Sequence, residues 1–381
     1  MKEIPLFKVF MSDKCGQEVN KVLYSGFIGQ GHKVEEFEQK LRNWFGTDWI
    51  LTTNSATSAE HLALRLLSAI KSESYPGLQW GDEVLATPLT CTASNWPIVL
   101  NGCKIKWVDV SPDNLNMDLD DLARKITPRT KGIMGVHWGG YPMDLDRIKE
   151  IQENAKNLYG FKPALIEDCA HSLGAKYKGK KIGLHGNICT FSFQAIKHIT
   201  SVDGGIIIVP HEKLYRIGKL LRWYGIDRES NRKDFRCESD IEIIGDKLHM
   251  NDVNATIGMC NFEHVDWILQ KYADNARYYR EQLKDVSGIR LLESNPDMES
   301  ANWLFTMKVD KRDDFARKMS EYGIMTSRVH ERNDKHTCVQ EFKAILPNLE
   351  QVVREMTCIP VGWWVSKEDR EWIVDCIKKG W

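Results

Sequence analysis

The chain reads as an α/β fold with a largely parallel sheet, followed by a smaller C-terminal α+β domain. Three observations predict this. Helical and strand signals alternate through the first two-thirds of the sequence; the apolar runs between helices are short and rich in branched residues; and polar residues of chemical interest sit where those runs end. Parallel sheets of this kind carry their chemistry in the crevice at the carboxyl ends of the strands.

The elements follow in order. KVEEFEQKLRNWF sets Val34, Phe37, Leu41 and Trp44 on one helical face, and SAEHLALRLLSAI repeats the pattern. Strands are expected in DEVLA (82–86), KIKWVDV (104–110), KGIMGVH (131–137), ALIEDCA (164–170) and GGIIIV (204–209). Asp109, His137, Asp168 and the loop holding Lys197 then fall at or just after strand ends. Beyond residue 255 long helices lead away from the sheet. The expected division is therefore a large domain over 1–255 and linking helices with a small domain over 256–381. Near the end, Ser366 suits the N-cap of the helix in KEDREWIVDCIKKGW. The charged run 227–240 reads as a solvated loop, with phosphate binding by Arg228, Arg232, Lys233 and Arg236 as the alternative.

Composition excludes several classes. With 381 residues, 42% of them hydrophobic, the chain can bury a full core. A net charge of −1 offers no general attraction for nucleic acid or anionic membrane. No apolar run approaches the ~18 residues of a membrane span, and the N-terminus lacks a signal-peptide pattern, so a cytoplasmic protein is expected. The ten cysteines include no C-x-x-C pair and read as reduced, mostly buried thiols, and no metal site is expected.

Chemistry concentrates in three places. Asp168 closes an apolar strand, where it needs a cation or hydrogen-bond donors; it suits either a structural clamp or the partner of a protonated ring nitrogen. Lys197, in FSFQAIKHITSVDGG, is either a solvated lysine or an amine able to bond a carbonyl cofactor covalently. In TTNSATSAEHLAL, the N–H groups and hydroxyls of Ala56, Thr57 and Ser58 at a helix start form an anion site, to which Ser192 can add a hydroxyl. Together they match the needs of pyridoxal phosphate: an amine for its aldehyde, a carboxylate for its ring nitrogen and a cradle for its phosphate.

The order SATSAEHLAL, GDEVLATPLT, IEDCAHSLGAKYKGKKIG, FSFQAIKHITSVDGG and KLHMNDVNATIG resembles the DegT/StrS-type sugar-nucleotide aminotransferases over nearly the whole chain. The resemblance implies the aspartate aminotransferase fold with its seven-stranded sheet. It also implies pyridoxal phosphate held in a homodimer with shared active sites, and transfer of an amino group from L-glutamate to a nucleotide-linked keto-deoxysugar. Carried over by position, Lys197 is the lysine that holds the cofactor and Asp168 the ring-nitrogen partner. His171 stands beside the cofactor's phenolic oxygen, and Ala56, Thr57 and Ser192 bind the phosphate. His198, Arg222, Trp223, Arg328 and His330 fall in regions that face the sugar nucleotide in relatives.

Three positions depart from the family pattern. Ala56 replaces a glycine. Cys91 replaces the aromatic residue that stacks on the cofactor ring, leaving the thiol, Trp96 or Trp138 to cover it. Lys247 replaces the asparagine that reaches the phosphate of the other subunit. A related branch, the nucleotide-sugar 3-dehydratases, has histidine where this chain has Lys197, so an aminotransferase is expected ahead of a dehydratase or a non-catalytic regulatory scaffold. The T-x-x-D-G-G ending of the loop favours amination at C-4 over C-3.

Overall fold

The computed structural model describes residues 3–230 and 240–381. The run Arg232, Lys233 and Arg236, weighed above as a phosphate site, lies outside the described residues. The central sheet is built from β1 (Ile50–Thr53), β2 (Glu83–Ala86), β3 (Lys104–Trp107), β4 (Thr130–Val136) and β5 (Ala164–Asp168). After the two-residue strands β6 (Lys176–Tyr177) and β7 (Lys180–Lys181), β8 (Ile188–Ser192) and β9 (Gly205–Ile208) complete it. The spatial order is β1-β9-β8-β5-β4-β2-β3, seven strands in all. The five strands from β3 to β8 run parallel, while β9 is antiparallel to both of its neighbours.

The parallel strands are joined by the helices Thr92–Leu100, Leu119–Lys125 and Leu145–Tyr159. Asp118 and Asp144 cap the latter two, each accepting from backbone N–H groups of the first turn. Every residue of β1, β2, β8 and β9 is buried, so these strands show no inside–outside alternation. That explains why two of them, ILTT and ICTFS, carry no strand signal of their own in the sequence. The apolar runs marked as strands all form strands, with bounds shifted by one to three residues at one or both ends.

The expected boundary at 255 cuts a helix, Asp252–Phe262, that belongs to the large domain. Asp252 Oδ1 accepts the N–H groups of Gly31 (2.7 Å) and Val34 (3.1 Å), which caps the helix His32–Phe45 from outside. Gly258 lies so close to Phe37 that a Cβ there would meet its ring at 2.8 Å. The departure from the sheet comes with the next helix, Val265–Leu283. Its Asn275 donates to the carbonyls of Val361, Gly362 and Val365, and Tyr279 Oη donates to that of Pro360 (2.8 Å).

The small domain has an antiparallel sheet of β10 (Ile289–Leu291), β12 (Phe305–Val309) and β13 (Met356–Ile359). Between them, β11 (Met298–Glu299) pairs with β6 and so ties the two domains together. Ser366 caps the last helix, Lys367–Lys378, with Asp369 reciprocating in a capping box. The start of the chain also docks here: Ile4 bridges to Ile324, and Trp363 and Trp364 donate to the carbonyls of Lys8 (3.2 Å) and Pro5 (2.9 Å). The nine described cysteines are free, seven of them buried. No helix among the described residues is long and apolar enough to cross a membrane.

Candidate active site

The helix Ala56–Ala69 starts directly after β1, and Ser55 caps it by accepting the N–H of Ser58 (3.1 Å). Ser58 Oγ donates to Asn54 (2.5 Å), so Ser58, read above as a phosphate ligand, serves the cap through both groups. The N–H groups of Ala56 and Thr57, in the first turn, have no intrahelical partner and are left for an anion. Sheet register brings Ser192 to the same place: Thr53 pairs with Gly205 and Gly205 with Ser192. Gly205 is obligatory at this crossing, because a Cβ would lie 2.6 Å from the Ala56 nitrogen. This bare stretch of strand in front of unpaired N–H groups suits an anion such as phosphate.

Asp168 ends β5 with both oxygens engaged: Ser94 Oγ–H donates to Oδ2 (2.6 Å) and the Ala170 N–H to Oδ1 (2.9 Å). It is buried and pairs with no cation among the described residues. Lys197 is half-buried on the β8–β9 connection, its Nζ 3.5 Å from the centroid of the Trp303 ring. Burial drives its pKa down to about 8, partly opposed by the neighbouring acidic groups Asp168, Cys91 and Glu60. At pH 7 about a tenth of such an amine is unprotonated, against roughly one part in three thousand for an ordinary lysine. Capture of pyridoxal phosphate by the cofactor-free protein should therefore speed up with rising pH about a midpoint near 8. Stopped-flow absorbance reads this directly, and a midpoint at the ordinary lysine value would show that the amine is not desolvated.

Around Lys197 the small domain supplies an aromatic wall. Trp303 donates Nε1–H to the carbonyl of Ile196 (3.0 Å) and stacks on His171 with centroids 4.0 Å apart. His330 stacks parallel to His171 at 5.5 Å, and Trp138 meets both histidines edge-on. Burial, with the charge of Lys197, pushes His171 well below the usual histidine range and His330 to about 3, so both are neutral. His171 Nδ1 and His330 Nε2 are buried without a hydrogen-bond partner, as expected of groups that meet a ligand. Val202 and Val329, close in sequence to Lys197 and His330, hold φ of 71° and 67°, strained for β-branched residues.

Other expected contacts land elsewhere. Arg222 is buried against Glu38 (2.6 Å) and the carbonyl of Thr52 (2.8 Å), so it holds the sheet edge to the helix His32–Phe45. His198 is likewise structural, its Nε2 bonded to the carbonyl of Ala301 (3.0 Å) and its ring edge-on to Tyr272. Trp223 packs on His249 and under the guanidinium of Arg228. Arg328 pairs with Glu331 (2.9 Å). Cys91 begins the helix Thr92–Leu100, and its carbonyl accepts from Asn333 (3.3 Å). Of the two tryptophans considered for the ring face, Trp138 joins the aromatic wall while Trp96 pairs with His336. Lys247 is exposed, its carbonyl accepting from Asn54 beside the phosphate cradle.

One cluster of metal-ligand type occurs among the described residues: His137, Glu167 and Cys169, with atoms within 4.8 Å of one another. Its polar atoms are already committed. His137 bonds Glu167 (2.9 Å) and accepts the N–H of Met143 (3.0 Å), while Asn187 donates to the second oxygen of Glu167 (2.7 Å). The cluster clamps β4 to β5.

A weakly basic amine, a carboxylate without a cation and a cradle for phosphate answer the aldehyde, ring nitrogen and phosphate of pyridoxal phosphate. With the sheet they define an aminotransferase-type enzyme dependent on that cofactor. The family model for the DegT/DnrJ/EryC1/StrS aminotransferase family matches residues 11–378, and the chain belongs to that family. Its fold superposes on AtS13 from Actinomadura melliaura with a TM-score of 0.94 at 46% identity, covering 100% of both chains. The sugar aminotransferase CalS13 from Micromonospora echinospora gives 0.93 at 41%, covering 99% of this chain and 100% of that one. The UDP-4-amino-4-deoxy-L-arabinose–oxoglutarate aminotransferase of Shewanella sediminis is 32% identical over 334 residues, 84% of this chain and 81% of its own.

Proposed function

We propose that this enzyme moves an amino group from L-glutamate to the C-4 keto group of a nucleotide-linked deoxysugar, for amino-sugar synthesis in surface polysaccharide or glycosylated products. The observation that carries the proposal is Lys197: half-buried on the face of Trp303, reduced in basicity and within the field of Asp168. A dehydratase of the related branch has no amine at this position, and a scaffold has no use for one. The C-4 assignment and the donor draw support from the Shewanella relative, whose name specifies a 4-amino sugar and oxoglutarate.

Pyridoxal phosphate, when bound, supplies an electron sink for the charge left as a proton leaves the carbon bearing nitrogen. The residues of the chain do the rest. The N–H groups of Ala56 and Thr57, with Ser192, hold the phosphate. Asp168 keeps a proton on the ring nitrogen. His171, neutral with a free nitrogen, bonds the phenolic oxygen. Lys197 Nζ takes the proton from glutamate carbon and returns it on the other side of the reaction, then reverses the path with the sugar. Trp303 and Trp138 exclude water from that amine. His330, and from a second subunit the exposed Lys247, complete the reading. The working unit is then a cytoplasmic homodimer with shared sites.

Purified protein incubated with glutamate and a panel of nucleotide-linked 4-keto and 3-keto deoxysugars should release 2-oxoglutarate and yield a sugar amine from a 4-keto substrate. Mass spectrometry identifies the product. A deoxygenated sugar with ammonia would point to the dehydratase, and amination of only 3-keto substrates would move the site of attack. Sedimentation of the active species as a monomer would remove the shared site.

A further inference from the structure

Glu60 is the only acid in the helix Ala56–Ala69, and it sits where a charged residue is costly. It is 1% exposed, among Ala59, Leu62, Ala63 and Leu64, all fully buried. Its Oε2 meets no hydrogen-bond donor. The helix packs over β5, the strand that Asp168 ends, and over β8, so the carboxyl groups of Glu60 and Asp168 share one buried space.

Two carboxylates side by side in a dry place cannot both be ionised. Asp168 already accepts a hydrogen bond on each oxygen, from Ser94 and Ala170. Glu60 has no such donor. We infer that Glu60 stands as an undissociated acid whose O–H is donated to Asp168, making it a positioning residue that holds Asp168 as the anion for the ring nitrogen. A carboxylate offers about four lone-pair positions. Ser94, Ala170 and Glu60 take three, and the fourth remains for the cofactor's N–H. Donation from Glu60 disfavours transfer of the ring proton to Asp168, which keeps the ring a strong electron acceptor.

The charged surroundings agree. Burial first, then the charges of Asp168 and Cys91, push Glu60 well above the ordinary glutamate range, with Lys197 opposing. Those three are the ionisable groups that face it. This inference rests on the reading of Asp168 as ring-nitrogen partner, yet the protonation of Glu60 can be read without any cofactor.

The test compares E60Q, which keeps a neutral donor, with E60L, which removes it. Infrared difference spectra of the full-length wild type minus E60Q at neutral pH should show the carbonyl stretch of an undissociated acid. E60L should lower kcat of the half-reaction with glutamate on the order of ten- to a hundredfold with KM little changed, as expected for loss of a hydrogen bond to a charged group. E60Q should restore most of that rate. Because folded protein retains a proton that the unfolded chain releases above about pH 4.5, the melting temperature of E60Q should rise relative to wild type as pH increases. A carboxylate stretch in place of the acid band, or E60Q as damaging as E60L, overturns the inference. Should E60L not fold, the infrared band and the pH trend of E60Q decide. If the acid band is present but Asp168→Asn reacts normally with glutamate, the shared proton stands and the role given to Asp168 fails.

Discussion

Lys197→Ala folds, binds pyridoxal phosphate without a covalent bond, and loses turnover by roughly 10⁴-fold, the upper range for a positioned acid–base group. The fold survives because the amine makes no ion pair; it lies on the face of Trp303 in a site that penalises its charge. Borohydride treatment of the wild type followed by peptide mapping should place the cofactor on Lys197, and the variant should take up none. A label on any other lysine would remove Lys197 from the mechanism. Circular dichroism and gel filtration establish that the variant is intact.

Asp168→Asn separates two properties that the wild type joins. The amide keeps the size and one acceptor, so Ser94 or Ala170 can still bond it, but the charge opposite the ring nitrogen is gone. A ring without its proton is a poorer electron sink, and the barrier to carbon deprotonation should rise by several kcal/mol, each ~1.4 kcal/mol being tenfold in rate. Covalent attachment to Lys197 needs no such sink. The cofactor absorbance of the resting enzyme should therefore persist while conversion by glutamate slows by orders of magnitude. Near wild-type conversion would reduce Asp168 to a structural clamp.

These two residues were legible in the sequence because each sits in a short local pattern: an acid at the end of an apolar run, and a lysine in a loop before a strand. The phosphate cradle was legible for the same reason, although Ser58 was not separable from the cap, since a serine there serves either purpose. Trp303 was not legible at all. Its role depends on a bond to Ile196, 107 residues away in sequence, and nothing in ANWLF announces it. The pairing of Arg222 was not legible either, because an arginine that faces a sugar nucleotide and one that neutralises Glu38 look alike until the partner is known. Glu60 left a signal that went unread: an acid on a helix face otherwise made of alanine and leucine. The boundary expected at 255 falls inside a helix because Asp252, which binds the helix His32–Phe45, opens a helix whose successor leaves the sheet.

The docking of the first residues onto the small domain bears on the order in which a new chain can mature. Lys8 and Pro5 wait for Trp363 and Trp364, made 355 and 359 residues later. At about 5–20 residues per second of synthesis, that is a delay of roughly 20 to 70 s. Phe7, in the same segment, stacks on Trp303, the ring beneath Lys197. A nascent chain with its large sheet already folded would thus hold the lysine and the aspartate but not the wall around them. The wall around Lys197 is complete only once the two ends of the polypeptide have met.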